Sequence, residues 1–167
     1  MEPAAPETLP ARVRECERDL LRALAVRAKF PRDPWPAWPD DDRRRPPPPL
    51  AEILLAIAPA GQSVDPDAGN RGLIAALLAR RRLACENADA KAAVHPEDFR
   101  AALAVGDRDQ LALLLADLAA ELRALEFIRA AAPQVAPDLD PDLALLLWRE
   151  HVLPWIRQTE IDHLAAP

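Results

Sequence analysis

Residues 72–91 read GLIAALLARRRLACENADAK. Ala and Leu dominate the stretch, and both are strong helix formers. The stretch therefore predicts one long helix, with Asn70 as its N-cap and an end near Val94. In that helix Arg80 and Lys91, eleven residues apart, point the same way and stand about 16 Å apart along one face.

Working outward, the same rules place further helices. Residues 11–30, ARVRECERDLLRALAVRAKF, form an amphipathic helix whose apolar side carries Val13, Leu20, Leu21, Leu24 and Phe30, with Pro10 in its first turn. The stretch 31–49 holds too many prolines for a helix and reads as a linker containing Trp35 and Trp38. A short apolar helix is expected over 50–58, and a loop over 64–69. Pro96 opens a short helix that stops at Gly106. Asp107 then caps a long helix carrying Leu111, Leu114, Leu115, Leu118, Leu122, Leu125 and Ile128, which ends at the Pro133–Pro137 break. The last helix starts near Pro141 and is kinked at Pro154. The fold class is all-α: a single domain over 1–167, built as a helical bundle with two or three long helices.

Composition agrees. The chain has 167 residues, enough for one sizeable core. Half are apolar, and only 4 are Gly, whereas the 19 prolines cluster between the helices. The formal charge of −6 argues against nucleic acid as a partner. No apolar run is long enough for a membrane span, and residues 1–7 lack the basic and apolar regions of a signal peptide, so a cytoplasmic protein is expected. Cys16 and Cys85 make no disulfide framework, and the three histidines are scattered, so no metal site is expected.

The charges carry the functional reading. Taken singly, Arg80-Arg81-Arg82 is a solvated basic stripe, Lys91 a surface lysine, and Glu160 an exposed acid beside Arg157. Together they say more. Asp117 interrupts an apolar run, and Glu121 follows it one turn later on the same face. Carboxylates facing a bundle interior need partners, and Arg80 and Lys91 are the natural ones. A cavity lined in this way suits an anionic ligand that also bears hydroxyls.

Four stretches resemble the all-helical chorismate mutases, most closely the longer type of fungi and plants: LLRALAVRAKF, the helix 72–91, the run from VHPEDFRAALAVGDRDQL to ADLAAELRALEFIRAAAP, and DPDLALLLWREHVLPWIRQTEIDHL. The resemblance implies an isomerase that converts chorismate to prephenate in phenylalanine and tyrosine synthesis, without a cofactor. It also implies a homodimer, which the leucine stripe favours as well. Carried over by position, Arg80 binds a substrate carboxylate, Lys91 reaches the ether oxygen, and Glu121 accepts from the ring hydroxyl. Asp117 stands at the pocket wall, and Glu160 is protonated and donates to the ether oxygen. Two positions depart from the family pattern. Pro10 stands where the first helix carries an Arg, leaving Arg14 or Arg12 to serve, and Ile156 stands where a hydroxyl residue is usual. The chain is also shorter than typical long-type members around 31–49, where the family builds effector sites, so feedback control is not expected. The alternative is a weak or inactive relative that binds an aromatic acid or a protein partner.

Overall fold

A computed structural model describes residues 8–28 and 66–166, and of residues 66–70 the backbone only. The expected linker 31–49, the helix 50–58 and the contribution of Phe30 lie outside the described residues. Seven α-helices are described: α1 (Leu9–Arg27), α2 (Pro66–Val94), α3 (Pro96–Val105), α4 (Arg108–Leu115), α5 (Leu118–Val135), α6 (Pro141–Leu147) and α7 (Leu153–Leu164). A π turn, Trp148–Val152, joins α6 to α7. No strand occurs among the described residues.

Helix α2 is the spine, packed along α1 on one side and α7 on another. Its apolar residues feed two cores. Leu73, Leu77 and Ala84 join Leu20, Leu21 and Leu24 of α1, Ile128 of α5 and the buried Trp148. Ala88, one turn further, joins Phe99, Leu111, Leu115 and Ile161 in a smaller cluster. Each fully buried Leu or Ile contributes about 1.5–3 kcal/mol to holding these helices together.

Four expectations are corrected. Helix α2 starts at Pro66, so residues 66–69 of the expected loop are helical and Asn70 is inside the helix, not its N-cap; proline is well suited to a first turn, where its missing N–H is not needed. The long helix expected after Asp107 is two helices. Asp107 caps α4 by accepting from the Gln110 backbone N–H, but the chain turns extended at Ala116, and Asp117 starts α5 by accepting from Ala120. An Asp that satisfies a nearby backbone N–H stabilises a helix start over helix continuation. The leucine stripe is broken accordingly: Leu111, Leu115 and Ile128 are buried, whereas Leu118 and Leu122 are 70% and 62% exposed. Helix α5 continues through Pro133 to Val135, and it is Pro137 that ends it, since the residue before a proline disfavours helical geometry and Ala136 is not helical.

The kink expected at Pro154 takes the form of the π turn. Leu153 donates to Trp148, five residues back, so the ladder is already shifted where Pro154 would have lacked a donor. At the other turns, Gly106 takes a left-handed φ of 68° to end α3, a conformation open to Gly at no steric cost. Cys16 packs in the interior, where burial raises its thiol pKa to about 11.

Candidate active site

A cavity of about 500 Å³ opens between α1, α2, α5 and α7. Leu115 of the smaller core and Ile156 of the larger one both line it, so it sits at the seam between them. Arg80, Lys91, Glu121, Glu160, Asp117, Arg14 and Ile156 all line it. Of the residues singled out in the sequence only Arg12 does not. It sits on the opposite side of α1, in an exposed ion pair with Glu86 at 2.6 Å. Residues 12 and 14 differ by about 200° around a helix, which is why one faces the cavity and the other does not.

The basic run on α2 is not a solvated stripe. Arg80 and Arg81 are 7% and 6% exposed, and only Arg82 faces water. The Arg80 Nε–H donates to Glu17 at 2.6 Å, and Glu17 also accepts from the Trp148 indole N–H. Glu17 is 1% exposed, so a buried carboxylate, a buried guanidinium and a buried indole form one network. Such an arrangement fixes the guanidinium plane, because the partners cannot be exchanged for water. The Glu17 contact engages Nε, and Arg80 also lines the cavity.

Lys91 is held differently. Its ammonium donates to the Leu115 carbonyl and lies 3.8 Å from Glu160. That carbonyl is available because α4 stops there and the last-turn carbonyls of a helix have no partner within it. The break at Ala116–Asp117 thus creates the anchor for Lys91. An ammonium has three donors, so this contact leaves others for the cavity.

The expected partnering of Asp117 and Glu121 with Arg80 and Lys91 is corrected. Asp117 is exposed, at the cavity rim, and its carboxylate is engaged in capping α5. Glu121 pairs with Arg157 of α7. Asp117 is taken up by the start of its own helix, and Glu121 by a cation of α7.

Glu160 is buried, not the exposed acid of the single-residue reading. Burial raises its pKa above the ordinary value of 4.5, against the lowering effects of a hydrogen bond from Asn87 and the charges of Lys91, Arg80 and Arg157. Desolvation penalises the carboxylate, so the protonated form persists to higher pH. Thr159, though buried, does not line the cavity, and Ile156 offers it only an apolar surface.

Three contributors escaped the sequence reading: Glu17, Asn87 and Arg157. Glu17 lies in line with Val13, Leu20 and Leu24, a charge on the apolar face of α1 that could have been noticed. Asn87 lies seven residues after Arg80 and four before Lys91, on their face of α2. Nothing in the sequence pairs Arg157 with Glu121, which come from different helices.

With the geometry in place, comparison with solved structures finds the chloroplast chorismate mutase from Zea mays, with a TM-score of 0.72 over 99% of this chain and 97% of that one, at 17% identity. The chain has the fold of an all-helical chorismate mutase. No family model and no curated protein sequence matches it. Among the described residues, no helix is long and apolar enough to cross a membrane.

Proposed function

We propose that the protein is a chorismate mutase, converting chorismate to prephenate, and that the cavity on α2 is its active site. The observation that carries this reading is the convergence of Arg14, Arg80, Lys91 and the buried Glu160 on one space of about 500 Å³. The reaction is a rearrangement within one molecule: an ether C–O bond breaks, a C–C bond forms, and no atom is gained or lost. It needs a confined, compact conformer and donors aimed at the ether oxygen as negative charge grows there.

The chain's residues match those needs. Arg80, its plane fixed by Glu17, takes one substrate carboxylate in a charge-assisted contact. Arg14, which lines the same cavity, takes the place of the first-helix Arg displaced by Pro10. Lys91 and protonated Glu160 supply two donors for the ether oxygen. Glu121 is placed for the ring hydroxyl, and Ile156 closes the apolar wall. We further propose that the enzyme acts in phenylalanine and tyrosine synthesis, in the cytoplasm and as a homodimer.

The purified protein should consume chorismate without added cofactor, followed as loss of the diene absorbance and appearance of prephenate. Arg80→Ala and Lys91→Ala should each lower kcat/KM by at least about 100-fold, the scale for losing one preorganised donor. Absence of turnover by the wild-type protein from mildly acidic to neutral pH would sink the proposal. One observation favours a second reading, a binding protein on the same fold: Glu17 already occupies part of Arg80. Calorimetry that shows chorismate or an aromatic amino acid binding without turnover would select it.

A further inference from the structure

Asn87 has no role in the reading above, yet it makes the one side-chain hydrogen bond to Glu160 described across the α2–α7 contact. Its amide Nδ2 donates to Glu160 Oε1 at 2.6 Å, and Asn87 itself lines the cavity. The other carboxyl oxygen, Oε2, is the one that lies 3.8 Å from the Lys91 ammonium. A neutral carboxyl has one carbonyl oxygen and one hydroxyl. The oxygen that accepts from an amide N–H is the carbonyl, so the proton is left on Oε2.

We propose that Asn87 is a positioning residue that fixes which oxygen of Glu160 carries the proton, turning the Oε2 hydroxyl beside Lys91 so that both donors serve the same substrate atom. The inference rests on the proposed mutase reading for what the proton does. The placement itself rests on the two contacts and on the burial that keeps the carboxyl protonated to higher pH.

The surroundings of Glu160 support the assignment. From α2 it faces Arg80, Asn87 and Lys91, and from its own helix Arg157. Across the cavity, α1 brings Arg14 and the Arg80-bound Glu17, and α5 brings Asp117 and the Arg157-bound Glu121. Helix α4 packs on α7 with Leu115, and the charge at its start, Arg108, is paired to Asp162. Every neighbouring charge that acts on Glu160 is therefore cationic and favours its ionised form. Asn87 is the neutral donor among them: its hydrogen bond also favours the carboxylate, but it engages one named oxygen and so orients the group, and burial outweighs it. Its position on α2, between Arg80 and Lys91 on one face, keeps it in that place by helix geometry.

The test is a titration of the Glu160 carboxyl carbon by NMR in the wild type, in Asn87→Leu and in Asn87→Asp, with circular dichroism to confirm the fold. Loss of the donor removes a contact that stabilises the carboxylate, so the Glu160 midpoint should move up in Asn87→Leu. A second carboxyl at 87 should compete for the same proton and move it further. A midpoint unchanged in both variants would overturn the proposal, and the kinetic readout separates positioning from a merely structural contact. The kinetic readout runs in parallel. In Asn87→Leu, kcat on the acidic plateau should fall about 10- to 100-fold, because the hydroxyl is no longer aimed, while the alkaline limb moves to higher pH. In a Glu160→Gln background the same substitution should leave the pH profile unmoved, and a shift persisting there would count against Asn87 acting through Glu160. If the wild type proved inactive on chorismate, the mutase reading would fall and the NMR order would still decide whether Asn87 acts on the Glu160 carboxyl.

Discussion

Replacing Glu17 by Gln tests the buried network that holds Arg80. Glu17 and Arg80 have side chains 2% and 9% exposed, with Nε and Oε1 2.6 Å apart. Removing the charge from one member of a buried pair strands the other, which typically costs about 3–5 kcal/mol. Gln keeps one acceptor oxygen, so either the Arg80 or the Trp148 contact survives, and the loss should fall near the lower end, about 3 kcal/mol. Glu17→Leu removes both acceptors. It adds an unsatisfied indole N–H, worth about 1–3 kcal/mol, and should cost correspondingly more. For a domain stable by about 5–15 kcal/mol these are large fractions. Urea unfolding followed by tryptophan fluorescence should show the Glu17→Gln midpoint lowered by about 1–3 M, given a slope of roughly 1–3 kcal/mol/M. Arg80 freed of its partner also gains from an anion, so chorismate should raise the variant's midpoint more than the wild type's. A Glu17→Gln loss below about 1 kcal/mol, with Trp148→Phe additive to it, would refute the claim that these three groups form one desolvated network.

Two further outcomes follow from the site. Because burial raises the pKa of Glu160 and its protonated form is the donor, turnover should be highest on the acidic side and fall as pH rises through the folded-state value. The same shift contributes stability that is fully present below the ordinary 4.5 and is lost as pH rises through the raised value, so Glu160→Gln should flatten both the rate profile and this part of the stability profile. On α1, Arg14→Ala should reduce kcat/KM by about 100-fold if Arg14 anchors a carboxylate. Arg12→Ala, which removes an exposed pair with Glu86, should leave kinetics unchanged and cost no more than about 1 kcal/mol in urea. Equal kinetic losses in the two variants would refute the assignment of Arg14 to the cavity.

Much of this protein was legible in the residue order. Apolar spacing placed α1, because amphipathic helices bury the face that the spacing defines, and Ala/Leu-rich stretches punctuated by Pro and Gly placed α2, α3 and the α6–α7 run. Arg80 and Lys91 lie on one face of α2 through helix geometry alone, with no need of tertiary information. The need for a raised pKa at Glu160 was a chemical argument, and burial does raise it.

What the sequence did not determine is who pairs with whom. The helix break at Ala116–Asp117 was hidden, because an Asp in an apolar run reads equally as a pocket residue or a cap, and the backbone contact to Ala120 decides it. That break frees the Leu115 carbonyl for Lys91, a contact between a side chain and a backbone atom 24 residues away in the chain. Arg80 goes to Glu17, Glu121 to Arg157, and Asn87 to Glu160 only because α1, α2, α5 and α7 meet around one cavity. Periodicity along a helix determines which way a side chain faces. Only the packing of helices distant in sequence determines what it meets there, and in this protein that meeting buries Glu17, Arg80 and Glu160 beside one cavity.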